Sequence, residues 1–123
     1  MILNRIKKAL IIAPHCDDEV LGCGGIISKY NKEINFNVLI CTNANKGAPE
    51  IFSEKYINIV RSEAKSCHKF LGVKKTLFLD LPAPRLDQFP IYKVSNEIKK
   101  IIEINKFDTI FIPSKADLHV DHK

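Results

Sequence analysis

Four short apolar runs recur along the chain, at 9–12 (ALII), 36–41 (FNVLIC), 76–79 (TLFL) and 109–112 (TIFI), and none keeps a strict polar alternation. Runs of that length and pattern predict strands buried on both faces. Between them lie segments of helical periodicity. Residues 20–30 form the first and 54–71 the second, with a stripe of Ile57, Val60, Ala64, Cys67 and Leu71. Residues 92–104 form the third, with Val94, Ile98, Ile101 and Ile102 on one face. Strand and helix alternate throughout, which implies βαβ units with right-handed crossovers. The expected fold class is therefore α/β, a doubly wound and mostly parallel sheet with helices on both faces. Leu71-Gly72 ends the second helix as a C-terminal glycine cap does, and Pro82, Pro84 and Pro90 mark a loop before the third.

With 123 residues and 46% of them hydrophobic, the chain is expected to form one domain over 1–123, near the small end of what buries its own core. The net charge of +5 falls on isolated pairs such as Lys74/Lys75 and Lys99/Lys100 without interleaved aromatics. A solvated surface is expected there, and no nucleic-acid groove. The apolar run after Arg5, Lys7 and Lys8 is too short for a signal-peptide core, and no run approaches the ~18 apolar residues of a membrane span. A soluble, cytoplasmic chain without a transmembrane segment is the expectation. Cys16, Cys23, Cys41 and Cys67 show no CxxC spacing and read as packed free thiols, not as a disulfide framework.

Two polar clusters interrupt this pattern, IIAPHCDDEVLGCGG after the first strand and DLHVDHK after the fourth. In a Rossmann-like sheet of order 3-2-1-4, strands one and four are neighbours, and the crest between their carboxyl ends is the topological switch point. Residues about a hundred apart in sequence can thus converge. Two His and one Asp at strand ends suit a borderline divalent ion such as zinc, with a fourth position left for water. Asp17 and Asp18 are adjacent where a helix begins, so their side chains diverge by about 100°. One can ligate metal while the other faces the water. An acidic first helical turn is the simpler reading of Asp17, Asp18 and Glu19 taken alone, because the helix dipole favours carboxylates there. His15 and the second cluster argue for more than that. His119 and His122 bracket Asp121, so one imidazole can bind metal, the other can meet a reacting carbonyl or leaving group, and the Asp can orient one of them. His68, flanked by Lys65 and Lys69, reads as a surface residue. Gly22 and Gly25 are three apart on one helix face, which suits close approach of that helix to the sheet. A phosphate-cradling loop is the alternative for these glycines, but no GxGxxG directly follows the strand.

The paired motifs APHCDDEVLGCGG and DLHVDH, in this order and on this α/β pattern, resemble the LmbE-like, or PIG-L, family of zinc-dependent N-deacetylases. RSEAKSCHKFLGV and FLDLPAPRLD are similar to the family's middle helix and the loop after its third strand. The resemblance implies that His15, Asp18 and His122 hold Zn2+ or another divalent metal, that Asp17 is the general base, and that His119 stabilises the oxyanion or protonates the leaving amine. Asp121 would support the ligand shell. Arg61 is similar to a substrate-contacting Arg of the family, with a surface ion pair as its other reading. The implied reaction is hydrolysis of an acetamide on an N-acetylglucosamine-type conjugate, a small-molecule partner. Cys16 stands where the family usually has Pro and is itself a conceivable zinc ligand.

The family fold normally continues past the second motif, so the chain is expected to be the N-terminal part of a longer fold. Two alternatives stand beside the deacetylase reading. In one, the chain is a fragment with no activity on its own, whose open surface is covered by a further copy or by a complementing C-terminal fragment. In the other, it is a nucleotide-binding Rossmann module using the GCGG glycines.

Overall fold

The computed structural model describes residues 5–14, 18–82 and 90–112. Strand β1 (Lys8–Ala13) leads through a loop to helix α1 (Asp18–Tyr30), followed by β2 (Asn35–Asn43) and a single helical turn, α2 (Ala44–Gly47). Helix α3 (Glu54–Leu71), strand β3 (Lys75–Pro82), helix α4 (Ile91–Asn105) and strand β4 (Thr109–Phe111) complete the described chain. The sheet has the order β3-β2-β1-β4 and every pair is parallel. The order 3-2-1-4 expected from the alternation is the one observed.

The absence of polar alternation has the expected cause. Phe36, Val38 and Ile40 pack with Ala9, Ile11 and Ala13 against Ile27 of α1 and Ala64 of α3. Leu10, Leu39, Cys41 and Leu81 face the opposite layer and meet Val94, Ile98, Ile101 and Ile102 of α4. Both sheet faces are therefore covered, and β2 is buried from Phe36 to Thr42. Asn37 lies in that buried stretch with its amide donating to the Asn35 carbonyl and side-chain oxygen. Burial pushes the Cys41 thiol up to about 12, which leaves it an inert packing group. Among the described residues, Cys23, Cys41 and Cys67 take part in no disulfide.

Three local contacts set the helix and strand ends. Ser53 caps α3 by accepting the Tyr56 N–H at 3.1 Å. Asp108 accepts the backbone N–H groups of Lys7 (2.9 Å) and Lys8 (3.0 Å), and its own N–H donates to the Lys8 carbonyl. This clamp holds the start of β4 beside the start of β1. Gly72 closes α3 at φ 97°, its N–H donating to the His68 and Lys69 carbonyls. A Cβ at Gly72 would come within 2.6–2.9 Å of the Asn31 side chain. That side chain is tied down, because Asn31 Nδ2 donates to the carbonyls of Ser28 and Leu71. Gly72→Ala is therefore expected to destabilise the fold by about 2 kcal/mol, combining a left-handed backbone penalty with loss of these bonds. Urea unfolding checks it; an unchanged midpoint would contradict the Asn31 contact.

Two expectations are corrected. His68 is buried, 1% exposed, with Nδ1 2.8 Å from Thr76 Oγ1 on β3. It lies four residues after Ala64, on the stripe that faces the sheet, and the Thr76 hydroxyl makes its burial tolerable. Gly22 and Gly25 do not mediate close approach to the sheet. Both are exposed and a Cβ at either would meet nothing within 4 Å among the described residues. The inward face of α1 is instead made by Cys23, Ile26, Ile27 and Tyr30. Among the described residues no helix is long and apolar enough to cross a membrane.

Candidate active site

The exit of the chain from β1 is tightly specified. Thr42 donates both its N–H (3.1 Å) and its hydroxyl (2.6 Å) to the Pro14 carbonyl. This extends the β1–β2 ladder beyond the Ala13–Ile40 pair and orients the chain just before His15. On the other side of β1, strand β4 pairs Ile110 with Leu10 and Phe111 with Ile11. The two polar motifs thus follow, along the sequence, adjacent parallel strands that end at the same edge of the sheet. That edge is the switch point, with β2 and β3 running to one side and β4 to the other.

His15, Cys16, Asp17, His119, Asp121 and His122 lie outside the described residues, and Asp18 is described only as the first residue of α1. Among the described residues no group of three or more His, Cys, Asp or Glu side chains can hold a metal ion. The donor set of the two motifs, imidazoles and carboxylates, is of the kind a catalytic divalent cation accepts.

Along the same edge the structure builds a second polar cluster. On β2, Ile40 pairs with Phe78 and Thr42 with Leu81, so three residue steps of β3 oppose two of β2. The extra length is a bulge, a device that re-aims a side chain and is uncommon between parallel strands. Asp80 occupies it with φ 62°, a left-handed conformation that Asp tolerates better than most residues. Its Oδ1 accepts from Asn43 Nδ2 at 3.0 Å and from Arg61 Nη2. The Arg61 guanidinium lies 4.3 Å from the centroid of the Phe78 ring, a cation–π placement that fixes its plane. Partial burial pushes the Asp80 carboxyl up, but the hydrogen bonds from Asn43 and Arg61 and the charges of Arg61 and Lys46 outweigh it, and the net shift is downward. Asp80 is thus a carboxylate at neutral pH.

Arg61 therefore forms an ion pair, one of its two expected readings, with a partner that stands at the carboxyl edge and is itself 45% exposed. Asp80 and Asn43 escaped the sequence reading as site residues. The available signal was FLDLP, an acid in the middle of an apolar strand, which Ala or Val would fill if packing were the only demand.

A family model described as PIG-L, GlcNAc-PI de-N-acetylase, matches residues 10–123. Diacetylchitobiose deacetylase of Thermococcus kodakarensis is 29% identical over 126 residues, taking in 98% of this chain and 46% of the relative. The structure of N,N'-diacetylchitobiose deacetylase from Pyrococcus horikoshii superposes with a TM-score of 0.80 at 29% identity, over 96% of this chain and 46% of that one. GalB, the 4-carboxy-2-hydroxymuconate hydratase of Pseudomonas putida, shares the fold with a TM-score of 0.77 at 19% identity, over 95% of this chain and 51% of that one. One fold thus carries both a deacetylase and a hydratase, and the reaction must be argued from the site. The chain spans about half the length of the diacetylchitobiose deacetylases it matches. The family match over residues 10–123, joined to the parallel β3-β2-β1-β4 sheet, establishes that the chain belongs to the PIG-L family.

Proposed function

We propose that the chain carries the metal-binding half of a zinc-dependent N-deacetylase acting on an N-acetylated sugar. The observation that carries this reading is the parallel β1–β4 pairing, because His15 to Asp18 and His119 to His122 follow these two neighbouring strands in the sequence. In it, His15, Asp18 and His122 hold the ion. A bound zinc would supply a Lewis acid that lowers the pKa of a water to about 7. Asp17 accepts the proton of the attacking water at its carboxylate. His119 donates a hydrogen bond where negative charge develops on the acetamide oxygen, or a proton to the departing nitrogen, and Asp121 holds an imidazole in the right tautomer. Acetate and a free amine are the products. Arg61 and Asp80, on the β3 side of the same edge, offer a donor and an acceptor to sugar hydroxyls. The names of the two diacetylchitobiose deacetylases support an N-acetylglucosamine-containing substrate.

The test is release of acetate and free amine from N,N'-diacetylchitobiose by the purified chain, with metal content measured in parallel. Release that is abolished by chelator and restored by one equivalent of zinc is the expected result. A folded chain that takes up no zinc would refute the metal reading. One zinc per chain, sugar binding and no acetate would favour the alternative in which the chain has no activity on its own.

A further inference from the structure

Asp80 holds a backbone conformation that costs about 1–2 kcal/mol in a non-glycine residue, and such a conformation persists where its surroundings over-determine it. The surroundings here converge on one oxygen. Oδ1 takes both Asn43 Nδ2 and Arg61, and no described residue donates to Oδ2. Asn43 is itself locked: its Oδ1 accepts the Asn45 N–H at 2.9 Å, so its amide can only turn the NH2 group towards Asp80. Asn45 is held in turn, its Nδ2 donating to the Phe52 carbonyl at 2.7 Å. A chain of bonds from the loop before α3 through α2 thus ends at one carboxylate oxygen and leaves the other without a donor among the described residues.

We propose that Asn43 is a positioning residue that fixes the Asp80 carboxylate with Oδ1 engaged and Oδ2 presented as an acceptor for a sugar hydroxyl. This rests on the reading above in which Asp80 and Arg61 face the sugar. Arg61 alone would not impose the orientation, since a guanidinium can bridge both oxygens in a fork. The amide, fixed at its other end, selects one.

The discriminating experiment pairs Asn43→Asp with the swapped double variant Asn43→Asp/Asp80→Asn. The single change keeps the size and the acceptor for Asn45 but sets a carboxylate against Asp80. The swap restores one donor and one acceptor across the 3.0 Å contact but moves the carboxylate off β3. The readouts are the unfolding midpoint and the Kd of the zinc-loaded chain for N,N'-diacetylchitobiose. The single variant is expected to bind the sugar roughly tenfold more weakly, the loss of one well-aimed hydrogen bond to a charged group. The double variant should regain the native midpoint and stay roughly tenfold weak. If the double variant regains native Kd together with native stability, Asn43 is structural only and the proposal falls. It falls equally if Asn43→Asp leaves Kd unchanged. A native chain that binds no sugar would overturn the underlying reading instead, a result distinct from either.

Discussion

Asp18→Asn is expected to strip the chain of its metal, whereas Asp17→Asn, one residue earlier, should keep the metal and lose the reaction. The residues are identical in charge and adjacent, so only their placement can separate them. Asp18 is the first residue of α1, and successive residues at a helix start point about 100° apart. The proposed roles assign one carboxylate to the ion and its neighbour to the proton of the attacking water. An amide at 17 cannot accept that proton, and general-base catalysis is worth about 10²–10⁴-fold. The expected rate of acetate release in Asp17→Asn is therefore roughly 10²–10⁴-fold below native, with about one zinc per chain retained. An amide at 18 is a far poorer ligand than a carboxylate for the same ion, so zinc should be lost on dialysis, and activity with it. Metal analysis beside an acetate assay separates the outcomes. Equal metal loss in both variants would mean that the two acids act together, and the division of roles would be wrong.

The fold was legible because its information is local. Uninterrupted runs such as VLIC at 38–41 admit only a strand covered on both sides, and alternation with helices leaves the doubly wound arrangement. The neighbouring of β1 and β4 followed from the same reading. What sequence left hidden depends on contacts between elements. His68 looks like a surface residue between lysines until Thr76, on a different element, is seen to partner its ring. Gly22 and Gly25 were misplaced although the pattern Cys23, Ile26, Ile27, Tyr30 already marked the inward face of α1. The bulge at Asp80 is invisible in one strand alone, because an extra residue exists only relative to the register of β2. Arg61 was singled out by motif likeness, but nothing in a linear sequence connects it to an acid nineteen positions on.

Phe36→Ala should have the largest effect on stability, about 3–5 kcal/mol. Phe36 is fully buried in β2, its register partner on β1 is the small Ala9, and the same core layer also holds Ala13 and Ala64. Alanines cannot extend into the space a lost ring leaves, so the cavity stays open, and this is the costly case. Against a typical total of about 5–15 kcal/mol, the loss takes most of the stability of a domain at the low end of that range. Phe70→Ala, at a position 90% exposed, should change stability by less than about 0.5 kcal/mol. Urea titrations of the two variants make the comparison. The consequence for function is specific. Strand β2 holds Pro14 through Thr42 and Asp80 through Asn43, so a loosened β2 weakens both ends of the site together. Zinc at about 100 times its Kd should then return about 2.7 kcal/mol to Phe36→Ala by mass action on the folded state. The same zinc should return none of it to a Phe36→Ala/Asp18→Asn double variant. Equal recovery in both would mean that the ion binds elsewhere than at the β1–β4 edge.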